Sequence, residues 1–128
     1  MKNIGDHDEK LIMIVDDDPR IRDLVKAMLE KYGFHTIDLK DGETALDQYI
    51  NHPADLVILD MSIPGMSGMK CLEKILSLDQ NAKIIISSGN IDIEIPQQVI
   101  AKGAKAFLPK PYTSHELYQT VKTVLDEN

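Results

Sequence analysis

The sequence predicts a doubly wound α/β fold: a five-stranded parallel sheet of order 2-1-3-4-5 held between helical layers as a three-layer α/β/α sandwich. Three observations lead there. Five short apolar runs, LIMIV, FHTIDL, DLVILD, KIIIS and KAFL, alternate with longer stretches of helical spacing, which is the β-α-β-α rhythm of a parallel sheet. The runs at 11–15, 56–59 and 84–86 are unbroken rather than alternating, as expected of central strands covered on both faces. With 128 residues and 43% hydrophobic content, there is enough apolar material for one core and too little length for two ordinary domains.

The elements follow in order. The first run, 11–15, is the first strand, and the helix after it is the easiest to read. Asp18 can cap it, Pro19 suits its first turn, and Gly33 can end it. Between them Ile21, Leu24, Val25, Met28, Leu29 and Tyr32 recur at three- and four-residue steps. After the second strand, Asp41 and Gly42 open a helix with Ala45, Leu46, Tyr49 and Ile50 on its inner face, and Pro53 bars its continuation. Met69, Leu72, Ile75 and Leu76 form a third stripe. The fourth helix is short, with Pro96 in its first turn, Val99 and Ile100 as anchors and Gly103 at its end. The last carries a capping-box pattern from Thr113 to Glu116, followed by Leu117, Val121, Val124 and Leu125. Residues 11–126 form the expected domain and residues 1–10 a polar N-terminal extension.

Charge and composition exclude several function classes. The formal net charge is −7, with 21 acidic residues against 14 basic ones, which disfavours sequence-independent binding to nucleic acid or to an acidic membrane surface. Cys71 is the only cysteine, so the chain forms no internal disulfide and offers no thiolate partner for a structural zinc site. The N-terminus, MKNIGDHDEK, lacks an apolar signal core, and no run approaches the roughly 18 apolar residues of a membrane span. The cytoplasm is the expected location. No internal repeat or low-complexity tract interrupts the domain.

In such sheets the ligand site lies at the carboxyl ends of the strands. Just past the first strand stand Asp16 and Asp17, past the third Asp60, past the fourth Ser88, and after the fifth Lys110-Pro111. In the expected order these groups converge on one shallow pocket. Two unit charges about 4 Å apart interact by roughly 4 kcal/mol at an effective dielectric near 20, so the cluster either raises a carboxylate pKa or binds a cation. All-oxygen donors favour magnesium, with manganese as the alternative, over zinc or copper. A magnesium ion, a lysine and a serine hydroxyl around one aspartate make a phosphoryl-transfer site in which the carboxylate attacks in line.

The set IVDDD, VILDMSIPGMSG, IIISSGN and FLPKPY resembles the receiver domain of two-component response regulators, a chemotaxis-regulator-like, flavodoxin-like fold, from about Leu11 to Leu125. The resemblance implies a phosphoprotein switch of phosphorelay signal transduction, not an enzyme beyond its own phosphoryl transfer and dephosphorylation. It makes Asp60 the phosphoacceptor, forming an aspartyl phosphate. It assigns magnesium to Asp16, Asp17, Asp60 and the backbone carbonyl of Ser62, with Asp17 a direct ligand. Ser88 would hydrogen-bond the phosphoryl group, and Lys110 would pair with it beside a cis peptide to Pro111. Ser88 is preferred to Ser87 because the family pattern places Thr or Ser after four strand residues and before a small one, here Gly89. Phe107 would turn inward as Ser88 moves, remodelling the face of helix four, strand five and helix five; it lacks the hydroxyl of the Tyr often found there. Ser62 and Asn90 flank the path of the hydrolytic water. The implied partners are a histidine kinase or histidine phosphotransfer protein and a downstream protein, with the chain a monomer or weak homodimer.

Plainer readings stand beside these. Asp18 is expected to be a helix cap outside the metal site. His7, His35, His52 and His115 lack ligand spacing. Met61, Met66 and Met69 are read as loop packing, Gly65 and Gly68 as turn and helix-entry residues, and Cys71 as a small helix residue. Two alternatives remain open at this point. IMIVDDDPR also fits a haloacid-dehalogenase-type phosphatase with Asp16 as nucleophile and Asp18 as acid/base. A degenerate receiver acting as a constitutive binding module is the other.

Overall fold

The computed structural model describes residues 9–89 and 94–127. Its elements alternate as β1 (Leu11–Val15), α1 (Pro19–Lys31), β2 (His35–Leu39), α2 (Gly42–Asn51), β3 (Leu56–Asp60), α3 (Gly68–Leu78), β4 (Ile84–Ser88), α4 (Glu94–Ala101), β5 (Ala106–Pro109) and α5 (Ser114–Asp126). The strands form one parallel sheet in the order β2-β1-β3-β4-β5, the expected flavodoxin-like arrangement. His7, Asn90 and most of the expected N-terminal extension lie outside the described residues.

Strand pleating divides the core into two layers. Met13, Val15, Val57, Leu59, Ile84 and Ile86 pack with α2, α3 and α4 on one face. Ile12, Ile14, Leu56, Ile58 and Ile85 pack with α1 and α5 on the other. That double burial explains why the central runs are apolar without alternation. The caps form as read: Asp18 accepts from the Arg20 N–H, Asp41 from Thr44, and Thr113 and Glu116 complete a reciprocal capping box.

The helix stripes are narrower than their sequence pattern. Leu24, Ile50 and Ile100, expected to face inward, are 53%, 55% and 47% exposed. Each adjoins a buried residue, Val25, Tyr49 or Val99, and consecutive helix positions point about 100° apart. In each of these three pairs the helix covers one residue and leaves its neighbour toward solvent. Cys71 joins Leu72 and Ile75 in the buried stripe of α3, and burial pushes its thiol up to about 11, in keeping with a packing role. Met61, Met66 and Met69 pack against the α2/α3/α4 core layer as partly buried side chains.

Candidate phosphoryl-transfer site

The strand order reverses between β1 and β3, and the crevice outside their carboxyl ends is where a doubly wound sheet places its ligand. Pleat parity fills it. Along β1, Ile12 and Ile14 face the α1/α5 layer, and Asp16 is next in that series; along β3, Leu56 and Ile58 lead to Asp60; along β5, Ala106 and Leu108 lead to Lys110. Asp60 and Ser88 are the last residues of their strands rather than the first beyond them, so the sheet itself holds them.

Asp16 and Asp60 are 4% and 6% exposed. The Lys110 ammonium lies 2.8 Å from Asp16 Oδ2 and 3.5 Å from Asp60 Oδ1. Asp17 is exposed, yet it shares the spot: Asp16, Asp17 and Asp60 each offer an oxygen within 4.8 Å of the others. Three carboxylate donors with no nitrogen or sulfur among them fit a hard divalent cation. An open cleft of about 560 Å³ passes over them, lined also by Asp18, Ile21, Ser62 and Gly89.

The charges are unequally matched. Burial pushes the Asp60 carboxyl above the usual range, Lys110 pulls it back, the Asp16 charge pushes it up, and the Ser62 N–H pulls it down; the net direction is up. Burial works against the Lys110 ammonium, but its hydrogen bond to Asp16 and the charges of Asp60 and Asp16 hold its pKa above the ordinary lysine value. The shorter contact goes to Asp16, so Asp60 is the carboxylate left partly uncompensated.

The loop after β3 is placed by close packing. A methyl group added at Gly68 would lie 2.6 Å from the Asp60 carbonyl oxygen and 2.7 Å from Met61 Cα, so α3 can begin directly against the strand end only with glycine there. Gly65 has φ +74, which favours glycine in that turn. The Lys110-Pro111 peptide is cis, as expected. Ser88 is buried and its carbonyl accepts from the Lys110 N–H at 2.9 Å. Phe107 is half-buried against the α2/α3/α4 layer, on the face to which pleating also assigns Ser88.

Three features escaped the sequence reading. Arg22 donates 2.7 Å to the Asp16 carbonyl. Ser87 Oγ is buried without a satisfied hydrogen bond. Burial raises the pKa of the Tyr112 phenol, two residues past Lys110, above the ordinary tyrosine value; the Lys110 charge and the Ser87 hydroxyl work against the rise, and the Asp16 and Asp60 charges add to it. The FLPKPY motif marked that position, but nothing in it gave the direction of the ring. Asp18, the acid/base of the phosphatase alternative, is engaged elsewhere: its carboxylate caps α1 and accepts from the Arg20 guanidinium at 3.2 and 3.1 Å.

A parallel α/β sandwich with three aspartates and a lysine gathered at its switch point has the groups that a phosphoryl-transfer site requires. Residues 12–122 match the response regulator receiver domain family, and the chain belongs to it. It is 35% identical over 114 residues to sporulation initiation phosphotransferase F of Bacillus subtilis (strain 168), covering 89% of this chain and 92% of that protein. It is 32% identical over 116 residues to the chemotaxis protein CheY of the same organism, covering 90% and 97%. Among solved structures, the CheX-CheY-BeF3-Mg+2 complex from Borrelia burgdorferi matches with a TM-score of 0.90 at 32% identity, covering 98% of this chain and 96% of that one. Receiver domains are signalling domains of two-component systems rather than enzymes in the usual sense, phosphorylated on aspartate. They bind magnesium through an acidic cluster and interact with histidine kinases or phosphotransfer proteins.

Proposed function

We propose that this chain is a phosphorylation-activated switch in which Asp60 takes a phosphoryl group from a histidine kinase or a histidine phosphotransfer protein. The observation that carries this reading is the Lys110 ammonium standing between Asp16 and Asp60, at 2.8 and 3.5 Å, beside an open cleft. An ammonium there can meet the oxygens of a phosphoryl group arriving at Asp60. The P–N bond to the donor imidazole breaks as a P–O bond to an Asp60 carboxylate oxygen forms, and the departing nitrogen keeps the electron pair. A divalent cation held by Asp16, Asp17, Asp60 and the Ser62 carbonyl supplies positive charge against these carboxylates and the phosphoryl oxygens; magnesium is the expected ion, with manganese a substitute.

Asp60 reacts as a carboxylate, and Lys110 together with the Ser62 N–H favours that form against the effect of burial. Ser88 binds a phosphoryl oxygen through its hydroxyl. Phe107 turns inward in response, and the output is read by a protein partner on the face of α4, β5 and α5. The transfer and the later hydrolysis are the domain's own chemistry, and the active form is a monomer or weak homodimer. No helix among the described residues is long and apolar enough to cross a membrane, and a cytoplasmic location belongs to the same reading.

Intact mass after incubation with magnesium and acetyl phosphate tests the proposal. A magnesium-dependent gain of one phosphoryl group in the wild type and none in Asp60→Asn supports it. No gain in either protein, with magnesium binding demonstrated, would replace it with the constitutive binding module.

A further inference from the structure

Asp16 is tied at four points. Its N–H donates to the Leu39 carbonyl at 3.0 Å, Oδ1 accepts from the Asp18 N–H at 2.9 Å, Oδ2 accepts from Lys110 at 2.8 Å, and its carbonyl accepts from Arg22 Nη1 at 2.7 Å. The fourth tie comes from outside the strand ends. In a parallel ladder, the donor to this carbonyl would come from β2 beyond Leu39. However, β2 ends at Leu39, and Asp41 turns away to cap α2. Arg22 is the fourth residue of α1, and helix side chains lean toward the N-terminus of their helix, which brings its guanidinium back over the strand end to take the place of the ladder donor.

Arg22 is itself held. Nε donates to Asp38 Oδ2 of β2 at 3.1 Å, with the Lys26 ammonium 3.9 Å from the other oxygen of that carboxylate. The Arg22 side chain is only 17% exposed. The fork of donors bridges the carbonyl just past β1 and a β2 carboxylate at once, which a lysine ammonium on a flexible stem does not reproduce. Because Asp38 balances the guanidinium charge, the contribution of Arg22 to the acidic cluster is one of placement.

What it places follows from the planarity of the peptide. The Asp16 carbonyl belongs to the peptide plane that links Asp16 to Asp17. Holding that oxygen sets the orientation of the plane, and with it the direction in which the exposed Asp17 carboxylate leaves the backbone. We propose that Arg22, braced by Asp38, is a positioning residue for magnesium binding that aims Asp17 at the site shared with Asp16 and Asp60. The inference rests on the metal-holding role of these aspartates given above.

Magnesium affinity, measured on the intact chain by titration of backbone amide signals with magnesium chloride and no phosphodonor, tests this in Arg22→Lys and Arg22→Gln. Loss of a residue that orients metal ligands is expected to weaken affinity roughly tenfold. Arg22→Gln is the sharper variant, because removing a positive charge near a cation site would by charge alone tighten binding. The placement argument predicts weakening in both. Asp38→Glu, which keeps the carboxylate charge but displaces the brace held at 3.1 Å, should show a smaller loss in the same direction and serves as the third variant should either Arg22 substitution unfold. Folded variants that bind magnesium within twofold of the wild type, or more tightly, overturn the inference while leaving the proposed function intact. A wild type that binds no magnesium overturns both.

Discussion

Gly68→Ala tests whether the start of α3 sets the position of Asp60. The added methyl would sit 2.6 Å from the Asp60 carbonyl oxygen, 2.7 Å from Met61 Cα and 3.0 Å from the Met61 carbonyl oxygen. All three neighbours are backbone atoms, and ordinary contact begins near 3.4 Å, so α3 and the end of β3 must part by about 0.8 Å. The Gly68 N–H bond to the Met61 carbonyl, at 3.1 Å, closes the same junction and is stretched by that movement. Overpacking costs about 1–3 kcal/mol, and alanine recovers at most about 1 kcal/mol of helix propensity. The expected net loss is therefore about 1–2 kcal/mol, or roughly 4–8 °C in melting temperature for a domain of this size. A shift of the acceptor approaching 1 Å is expected to slow phosphoryl transfer by up to about 100-fold. Thermal melting and the rate of phosphorylation by acetyl phosphate at saturating magnesium measure the two effects separately. A variant that melts at or above the wild-type temperature and phosphorylates at the wild-type rate would refute the packing argument.

Four further outcomes follow. Asp18→Ala should lose about 1 kcal/mol of stability through the missing helix cap yet phosphorylate within a few-fold of the wild type; loss of all phosphoryl chemistry would revive the phosphatase reading. Ser87→Ala removes a buried hydroxyl that interacts with the Tyr112 phenol without a well-formed hydrogen bond and should leave stability within about 1 kcal/mol of the wild type, whereas Ser88→Ala should slow phosphorylation; a Ser87→Ala variant that loses transfer while Ser88→Ala keeps it would exchange their roles. The Asp60 carboxyl is raised in the folded state, so its penalty is present at neutral pH and disappears as pH falls through that folded value. In metal-free buffer Asp60→Asn should therefore melt above the wild type at neutral pH, with the gap closing under acid, and a gap that widens under acid would contradict this linkage. The aspartyl phosphate should hydrolyse at a rate in the middle of the family's range, because Ser62 and Asn90 are small polar residues; a phosphoryl group lasting many hours in a mass time course would contradict that.

Much of the site was legible because strand ends are. An unbroken apolar run states where a buried strand lies, and the polar residue that stops it marks the rim of the sheet. Asp16, Asp60 and Ser88 stand at such run ends and Lys110 beside its proline, and the structure brings Asp16, Asp60 and Lys110 together. The helix faces were less legible. Leu24, Ile50 and Ile100 follow the apolar pattern as faithfully as their buried neighbours, and only the rotation of each helix on the sheet decides which of two adjacent residues is covered. Ser87 shows the same limit within a strand: it ends an apolar run like its neighbour Ser88, and its position opposite Asp60 in the β3–β4 register depends on strand pairing.

The alternation of strands and helices, their caps and the set of charged residues at the sheet's rim can all be read from the chain, because these depend on local periodicity and on residues adjacent in sequence. The tertiary structure alone decided how those charges are shared. Lys110 stands nearer Asp16 than Asp60, Arg22 reaches back to the Asp16 carbonyl just past β1, and Gly68 lies against the backbone of Asp60 and Met61. Each of these joins elements separated by a loop or a whole βα unit, and such distances are set by packing of the two core layers against the sheet, which local sequence does not encode.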